Sequence, residues 1–211
     1  MVFTTDDITG KPVDFGRREK TKIEDIPMDL QPTRKPHLLS LDPSSSAIGY
    51  AISTDPDTFT ECGVIKPKIS KFARYRTKQG ITTEAVERIA DMRHQLIEVI
   101  QQYEPEVTIV ELPSGHVHGR NKSKGSGQSI HGMGVGAVLA ICWGHCKPMS
   151  IQVINANTWT RRTPKERRTA RIQQIFPEYD AANDKGGDQA DAMGLARWWY
   201  AKQLTKGSNR E

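Results

Sequence analysis

The sequence predicts an α/β fold built on a mixed five-stranded sheet, three antiparallel strands followed by two parallel ones, flanked by helices. Three observations predict it. Short apolar runs separated by tight-turn residues open the domain, and strand-length and helix-length patterns then alternate. Each later strand is also separated from its predecessor by a helix, a crossover that implies parallel pairing.

The elements follow in order. Residues 1–36 carry Gly10, Pro12, Gly16, Pro27, Pro32 and Pro36 among mixed charges with no sustained period, and are expected to form a flexible polar arm, with IEDIPMDL as a possible docking piece. From His37 the pattern changes. HLLSLD, AIGYAIST and TFTECGVIKP read as three strands, joined by the turn residues PSSS and DPD. Thr82 or Thr83 can cap a helix with Glu84 in its first turn. Ala85, Val86, Ile89, Ala90, Met92, Leu96, Ile97, Ile100 and Tyr103 then recur at helical spacing until Pro105 stops it.

VTIVEL is a short buried strand, and the loop SGHVHGRNKSKGSG leads to a helix from about Gln128 to His145. Its Gly132, Gly134, Gly136, Ala137 and Ala140 form a small-residue surface that is expected to bring the helix backbone close to the sheet. SIQVIN is the fifth strand. Pro164 suits the first position of a helix running to about Phe176. The last helix begins after Gly186 and Gly187, with Ala190, Met193, Ala196 and Trp199 or Tyr200 toward the core. The domain is expected to span 37–205, with 206–211 a disordered tail. There is no internal repeat.

A chain of 211 residues accommodates one core plus an appendage. The net charge of +5 is clustered. Arg161, Arg162, Lys165, Arg167, Arg168 and Arg171 fall close together, opposed there only by Glu166, and Arg120, Lys122 and Lys124 crowd the Gly/Ser-rich loop. Such clustering favours a polyanionic partner, against the plainer reading of the first cluster as a solvated helix face.

Cys142 and Cys146 lie one helical turn apart and read as packed thiols. His145 beside them invites a zinc reading, but no second ligand pair of recognisable spacing follows. Three cysteines suit a reducing compartment better than a disulfide scaffold. The longest apolar stretch, around GVGAVLAICW, is too short to span a bilayer, and the N-terminus has no signal-like apolar region. A soluble cytoplasmic protein, without membrane contact, is expected.

Four acids stand apart from this background. Asp42 closes HLLSLD, Glu111 closes VTIVE, and Asp188 and Asp191 share GGDQADAMGLA. Each has a plain explanation: an Asx turn for Asp42, a strand surfacing at Glu111, and an N-cap with an acid at N3 for Asp188 and Asp191. Their coincidence at strand ends asks for more. Ionised carboxylates converging at the ends of buried strands repel one another unless cations sit between them, and a pair of Mg²⁺ ions about 3.5–4 Å apart suits phosphodiester hydrolysis.

LLSLDPSSSAIGYAI, QYEPEVTIVELP, the Gly-rich helix and the D-x-x-D-A of GGDQADAMGLA together resemble the RuvC family of Holliday-junction resolvases, a branch of the ribonuclease H-like superfamily, across roughly residues 37–205. The resemblance implies that Asp42, Glu111, Asp188 and Asp191 ligate two Mg²⁺ or Mn²⁺ ions. It also implies that Lys165 is the basic residue near the scissile phosphate, with Arg162, Arg167 and Arg168 as alternatives. The implied activity is paired nicking of four-way DNA junctions by a homodimer, leaving 5′-phosphate and 3′-hydroxyl ends and using no nucleotide cofactor. Arg120, Lys122, Lys124, Arg161, Arg162, Arg167 and Arg168 would hold DNA phosphates.

Two departures from the bacterial pattern are what a phage or otherwise divergent branch is expected to show. The loop after Glu111 holds His116 and His118 but neither Phe nor Tyr, and the N-terminal arm is extra. A less specific branched-DNA or RNA:DNA nuclease would share all four acids, and a non-catalytic junction-binding protein would have no need of them. LDPSSSAIG also resembles the phosphate loop of actin-like and sugar-kinase ATPases, which require a second such domain that this chain has no room for.

Overall fold

The computed structural model describes residues 37–44, 46–67, 83–113, 125–147 and 150–207, all within the unit Lys35–Glu211. The arm 1–36, Thr82 and the loop bearing His116, His118, Arg120, Lys122 and Lys124 lie outside the described residues, as do 208–211. The elements run β1 (Leu38–Pro43), β2 (Ile48–Asp55), β3 (Thr58–Ile65), α1 (Thr83–Tyr103), β4 (Val107–Leu112), α2 (Gly125–His145), β5 (Ile151–Asn155), α3 (Ala156–Thr160), α4 (Lys165–Ile175) and α5 (Asp188–Gly207).

The strands lie in the order β3-β2-β1-β4-β5. β3, β2 and β1 pair antiparallel, whereas β1 with β4 and β4 with β5 pair parallel, so the sheet is the mixed one expected. β1 is central and covered on both faces. That is why LLSLDP reads as a nearly unbroken apolar run rather than an alternating one.

Period-two alternation then decides which side chain faces which layer. Leu39 and Leu41 of β1, Ile48 and Ile52 of β2 and Val110 of β4 enter the core built with Met92, Leu96 and Ile100 of α1 and Val138, Ile141 and Cys142 of α2. Leu38 and Ile109 pack on the opposite face, against Leu195 and Ala196 of α5. Asp42 lies four residues beyond Leu38, and Glu111 two beyond Ile109. Both acids therefore belong to the α5 face. The parallel register, with Leu41 opposite Val110, brings them out at the same edge of neighbouring strands.

The small-residue surface expected of α2 faces inward only in part: Gly134 is buried, but a Cβ at Gly132 or Gly136 would meet nothing among the described residues, and Ala140 is exposed. The close approach belongs to α5 instead. Gly49 of β2 sits opposite Asp42, and a Cβ there would stand 2.0 Å from the Asp188 carbonyl oxygen. Ser40 Oγ donates to the carbonyl of Ala192 at 2.8 Å, tying β1 to the same helix. α5 is consequently buried over more of its circumference than the expected stripe: Ala192 and Leu195 are fully buried alongside Ala190, Met193 and Ala196.

α2 starts at Gly125, before the expected Gln128, and α5 continues two residues past 205. Helix α3 was not anticipated. Its five residues are too few to show a period, and its N-cap Asn155 accepts from the Asn157 backbone N–H at 3.0 Å.

Candidate active site

Two local causes place the four acids. β1 and β4 deliver Asp42 and Glu111 through strand register. Asp188 and Asp191 come from the first turn of α5. The plain reading of Asp188 as the helix cap does not hold, because the cap is Asp184. Its buried carboxylate accepts from the backbone N–H groups of Asp188 and Ala190, both at 3.0 Å, and from the Tyr179 hydroxyl at 2.7 Å. The side chains of Asp188 and Asp191 are thereby freed from capping. Gly187, at φ +67, makes the left-handed turn into the helix.

Lys165, the first residue of α4, reaches into the space between the acids. Its ammonium lies 2.7 Å from Asp188 Oδ1, 3.2 Å from Asp191 Oδ2 and 3.6 Å from Asp42 Oδ2. Arg168, one turn later, forks onto Asp191, with Nε on Oδ1 and an Nη on Oδ2 at 2.7 Å each, and its other Nη donates to the Thr163 carbonyl at 2.5 Å. Arg168 was expected at DNA phosphates; in this structure its guanidinium is already engaged inside the site. The exposed Arg161, Arg162 and Arg167 stand on the adjoining surface.

Glu111 has a partner that the sequence did not suggest. Trp159 of α3 donates its indole N–H to Glu111 Oε2 at 2.7 Å, and the Arg168 guanidinium lies 5.3 Å over the same indole ring. One aromatic ring thus braces Glu111 directly and Asp191 through Arg168.

The electrostatics follow from this crowding. Burial, reinforced by the charges of Glu111, Asp191 and Asp188, pushes Asp42 well above the usual carboxylate range despite Lys165. Burial also pushes Glu111 up to about 7, with Asp191 adding to the rise while the Trp159 hydrogen bond, Arg168 and Lys165 oppose it. For Lys165 burial works against the charged form, but the hydrogen bond to Asp188 and the surrounding carboxylates outweigh it and raise the pKa. Among the described residues no three His, Cys, Asp or Glu side chains surround a ready-made cation position. The positive charge at the meeting point of three of the acids is the lysine's.

No family model matches the chain, and no curated protein matches it in sequence. Solved structures do match its fold. RuvC of T. thermophilus in complex with a Holliday junction substrate is 17% identical, with 81% of this chain and 97% of that one covered at a TM-score of 0.55. A second Thermus thermophilus RuvC structure, also 17% identical, covers 80% and 97% at 0.52.

The fold is that of RuvC.

In this ribonuclease H-like fold the β1 and β4 ends and the α5 start share one edge of the sheet. Gly49 under Asp188, the Asp184 cap and the Trp159 brace complete the site. Cys142 is buried in the α1–α2 core and Cys146 accepts from Thr108 Oγ1 at 3.4 Å, so both thiols are packed as expected. No helix among the described residues is long and apolar enough to cross a membrane.

Proposed function

We propose that this chain is a metal-dependent endonuclease that resolves four-way DNA junctions by paired, symmetric phosphodiester hydrolysis. One observation carries the reading: carboxylates from β1 and from α5, Asp42, Asp188 and Asp191, all lie within 3.6 Å of a single ammonium group, with Glu111 on the adjoining strand end. A stable fold has no need to gather like charges at one point. That a RuvC of the same fold holds a Holliday junction substrate supports the choice of DNA structure.

The donor set fits Mg²⁺ or Mn²⁺. It consists of hard carboxylate oxygens on rigid elements, and it already holds a cationic group where the acids meet. Asp42, Glu111, Asp188 and Asp191 would be the ligands. When bound, two such ions make water a nucleophile near neutral pH and stabilise the departing 3′ oxygen.

The chain's own groups do the rest. Trp159 holds the Glu111 carboxylate in one orientation, and Arg168 does the same for Asp191. Lys165 carries its charge on a flexible stem. With metal held by the acids, that stem would let the ammonium turn to the scissile phosphate. Exposed Arg161, Arg162 and Arg167, with Arg120, Lys122 and Lys124, hold flanking phosphates largely without reading sequence. Two symmetric nicks require two sites, which makes an isologous homodimer the working form.

The test is cleavage of a synthetic four-way junction with Mg²⁺, beside linear duplex, RNA:DNA hybrid and flap substrates. Preferential, symmetric cutting of the junction is expected. Equal cutting of hybrid or linear DNA would replace the junction assignment with a general nuclease.

A further inference from the structure

A cavity of about 550 Å³ opens between α3, α4 and α5, directly behind the acids, within the range of about 300–1,000 Å³ that ligand pockets occupy. Trp159 and Arg168 line it as well as bracing Glu111 and Asp191, so the cavity and the acid cluster share a wall. Trp198 and Ile172 supply further apolar lining, and Arg161, Arg167 and Arg171 also line it.

The charge of this cavity is one-sided. Among the described residues Asp57 is its one acidic lining residue, and Arg197 pairs with it at 2.8 Å. Among the described residues no acidic side chain pairs with the exposed Arg161, Arg167 or Arg171. Arg167 and Arg171 stand one turn apart on α4, a like-charge spacing that disfavours a helix.

The backbone offers a second, independent observation. Arg161 and Arg162 are consecutive left-handed residues, at φ 49 and φ 63. Such conformations are strained at most non-glycine residues and gather at functional sites. Here they are held by the Arg162 N–H donating to Thr160 Oγ1 at 3.2 Å and the Thr163 N–H to the Thr160 carbonyl at 2.9 Å. Arg161 closes α3 as its C-cap and lines the cavity, and this turn fixes where its side chain leaves the backbone.

We propose that this cavity takes one extrahelical nucleotide of the strand being cut, its base stacked against the Trp198 indole and its phosphates held by Arg161, Arg167 and Arg171. A nucleotide combines a flat apolar face with a fixed negative charge, and the cavity combines indole with guanidinium. Because the wall is shared with Glu111 and Asp191, seating that base positions the neighbouring phosphate at the acids. The inference rests on the nuclease reading and adds to it a base-binding pocket beside the chemistry.

The test uses Asp42→Asn protein, which is expected to bind without cutting. Four-way junctions carry an abasic residue at each position flanking the scissile phosphate in turn, and affinity is measured at fixed salt. One abasic position should weaken binding about five- to 150-fold, the equivalent of about 1–3 kcal/mol for a lost base–aromatic stack. In Asp42→Asn/Trp198→Leu, intact and abasic junctions should bind alike. Arg171→Ala on the same background, an exposed change that leaves the core intact, should weaken both junctions and lower the salt slope by about one.

Equal affinity of intact and every abasic junction, or an unchanged salt slope in Arg171→Ala, would overturn the pocket while leaving junction cleavage standing. A protein that binds a single-stranded oligonucleotide in a base- and Trp198-dependent manner, yet does not prefer junctions, would retain the pocket and remove the junction reading.

Discussion

The Lys165 ammonium stands 2.7 Å from Asp188 Oδ1, so the acid cluster is held together by a cation of the chain itself. That contact ties α4 to the start of α5 and sets the terms on which metal can enter.

Lys165→Met removes the internal cation. The side chain is 35% exposed, and with that screening the loss in EDTA should be about 1–2 kcal/mol, read as a lower melting temperature. Mn²⁺ should bind the variant more tightly by calorimetry, since no ammonium competes for the carboxylates, while junction cutting at saturating metal slows. Weaker Mn²⁺ binding in Lys165→Met would show that the lysine helps to build the site rather than yielding to metal.

The metal-free protein should lose stability as pH rises from about 4.5 to about 7. Glu111 is raised by burial to about 7 and Asp42 is raised as well, so the folded state binds protons more tightly than the unfolded chain across that window. Their contribution is fully present below the unfolded carboxylate range and is lost as each ionises in the folded protein. Thermal melts in EDTA should show the decline, Mg²⁺ should diminish it, and Glu111→Gln should flatten it. A melting temperature that climbed over the same interval would contradict the crowded-carboxylate description.

Trp159→Phe keeps an aromatic side chain, smaller than the indole, and deletes the N–H from which Glu111 accepts. Loss of such a supporting contact costs about 10–100-fold in metal affinity or activity. The Mg²⁺ concentration for half-maximal cutting should rise, with the melting temperature nearly unchanged. A purely structural tryptophan would give the reverse pattern.

Gly49→Ala should cost about 1–3 kcal/mol, because its methyl would overlap the Asp188 backbone and push the start of α5 off the sheet. Asp184→Ala should cost about 0.5–2 kcal/mol through the lost helix cap. Both should also reduce cutting, since each displaces Asp188. Denaturant melts and single-turnover cleavage read the two effects together.

The part of this site visible in the sequence is the part governed by local pattern. Asp42 and Glu111 close apolar runs, and strand alternation with a helical crossover is enough to predict parallel neighbours. The supporting residues depend on distant contacts. Nothing around Gly49 signals a meeting with Asp188 far along the chain, and Asp184 lies in a turn-rich run of Asp, Asn and Gly where any acid reads as a turn residue. Trp159 sits on a helix too short to show a period. The small residues of α2 mislead for a related reason: spacing identifies a small-residue face but not whether that face meets the sheet or the solvent.

The most direct measurement is the product made from a supercoiled plasmid carrying one extruded cruciform, with Mg²⁺ and purified full-length protein. Two coordinated nicks across the junction should convert it to linear DNA with 5′-phosphate ends, and Asp42→Asn, Glu111→Gln, Asp188→Asn and Asp191→Asn should each bind the junction yet leave the plasmid supercoiled. Linear product from any of these four variants at near-normal rate, or plasmid left uncut by the unaltered protein, would contradict the four-acid account.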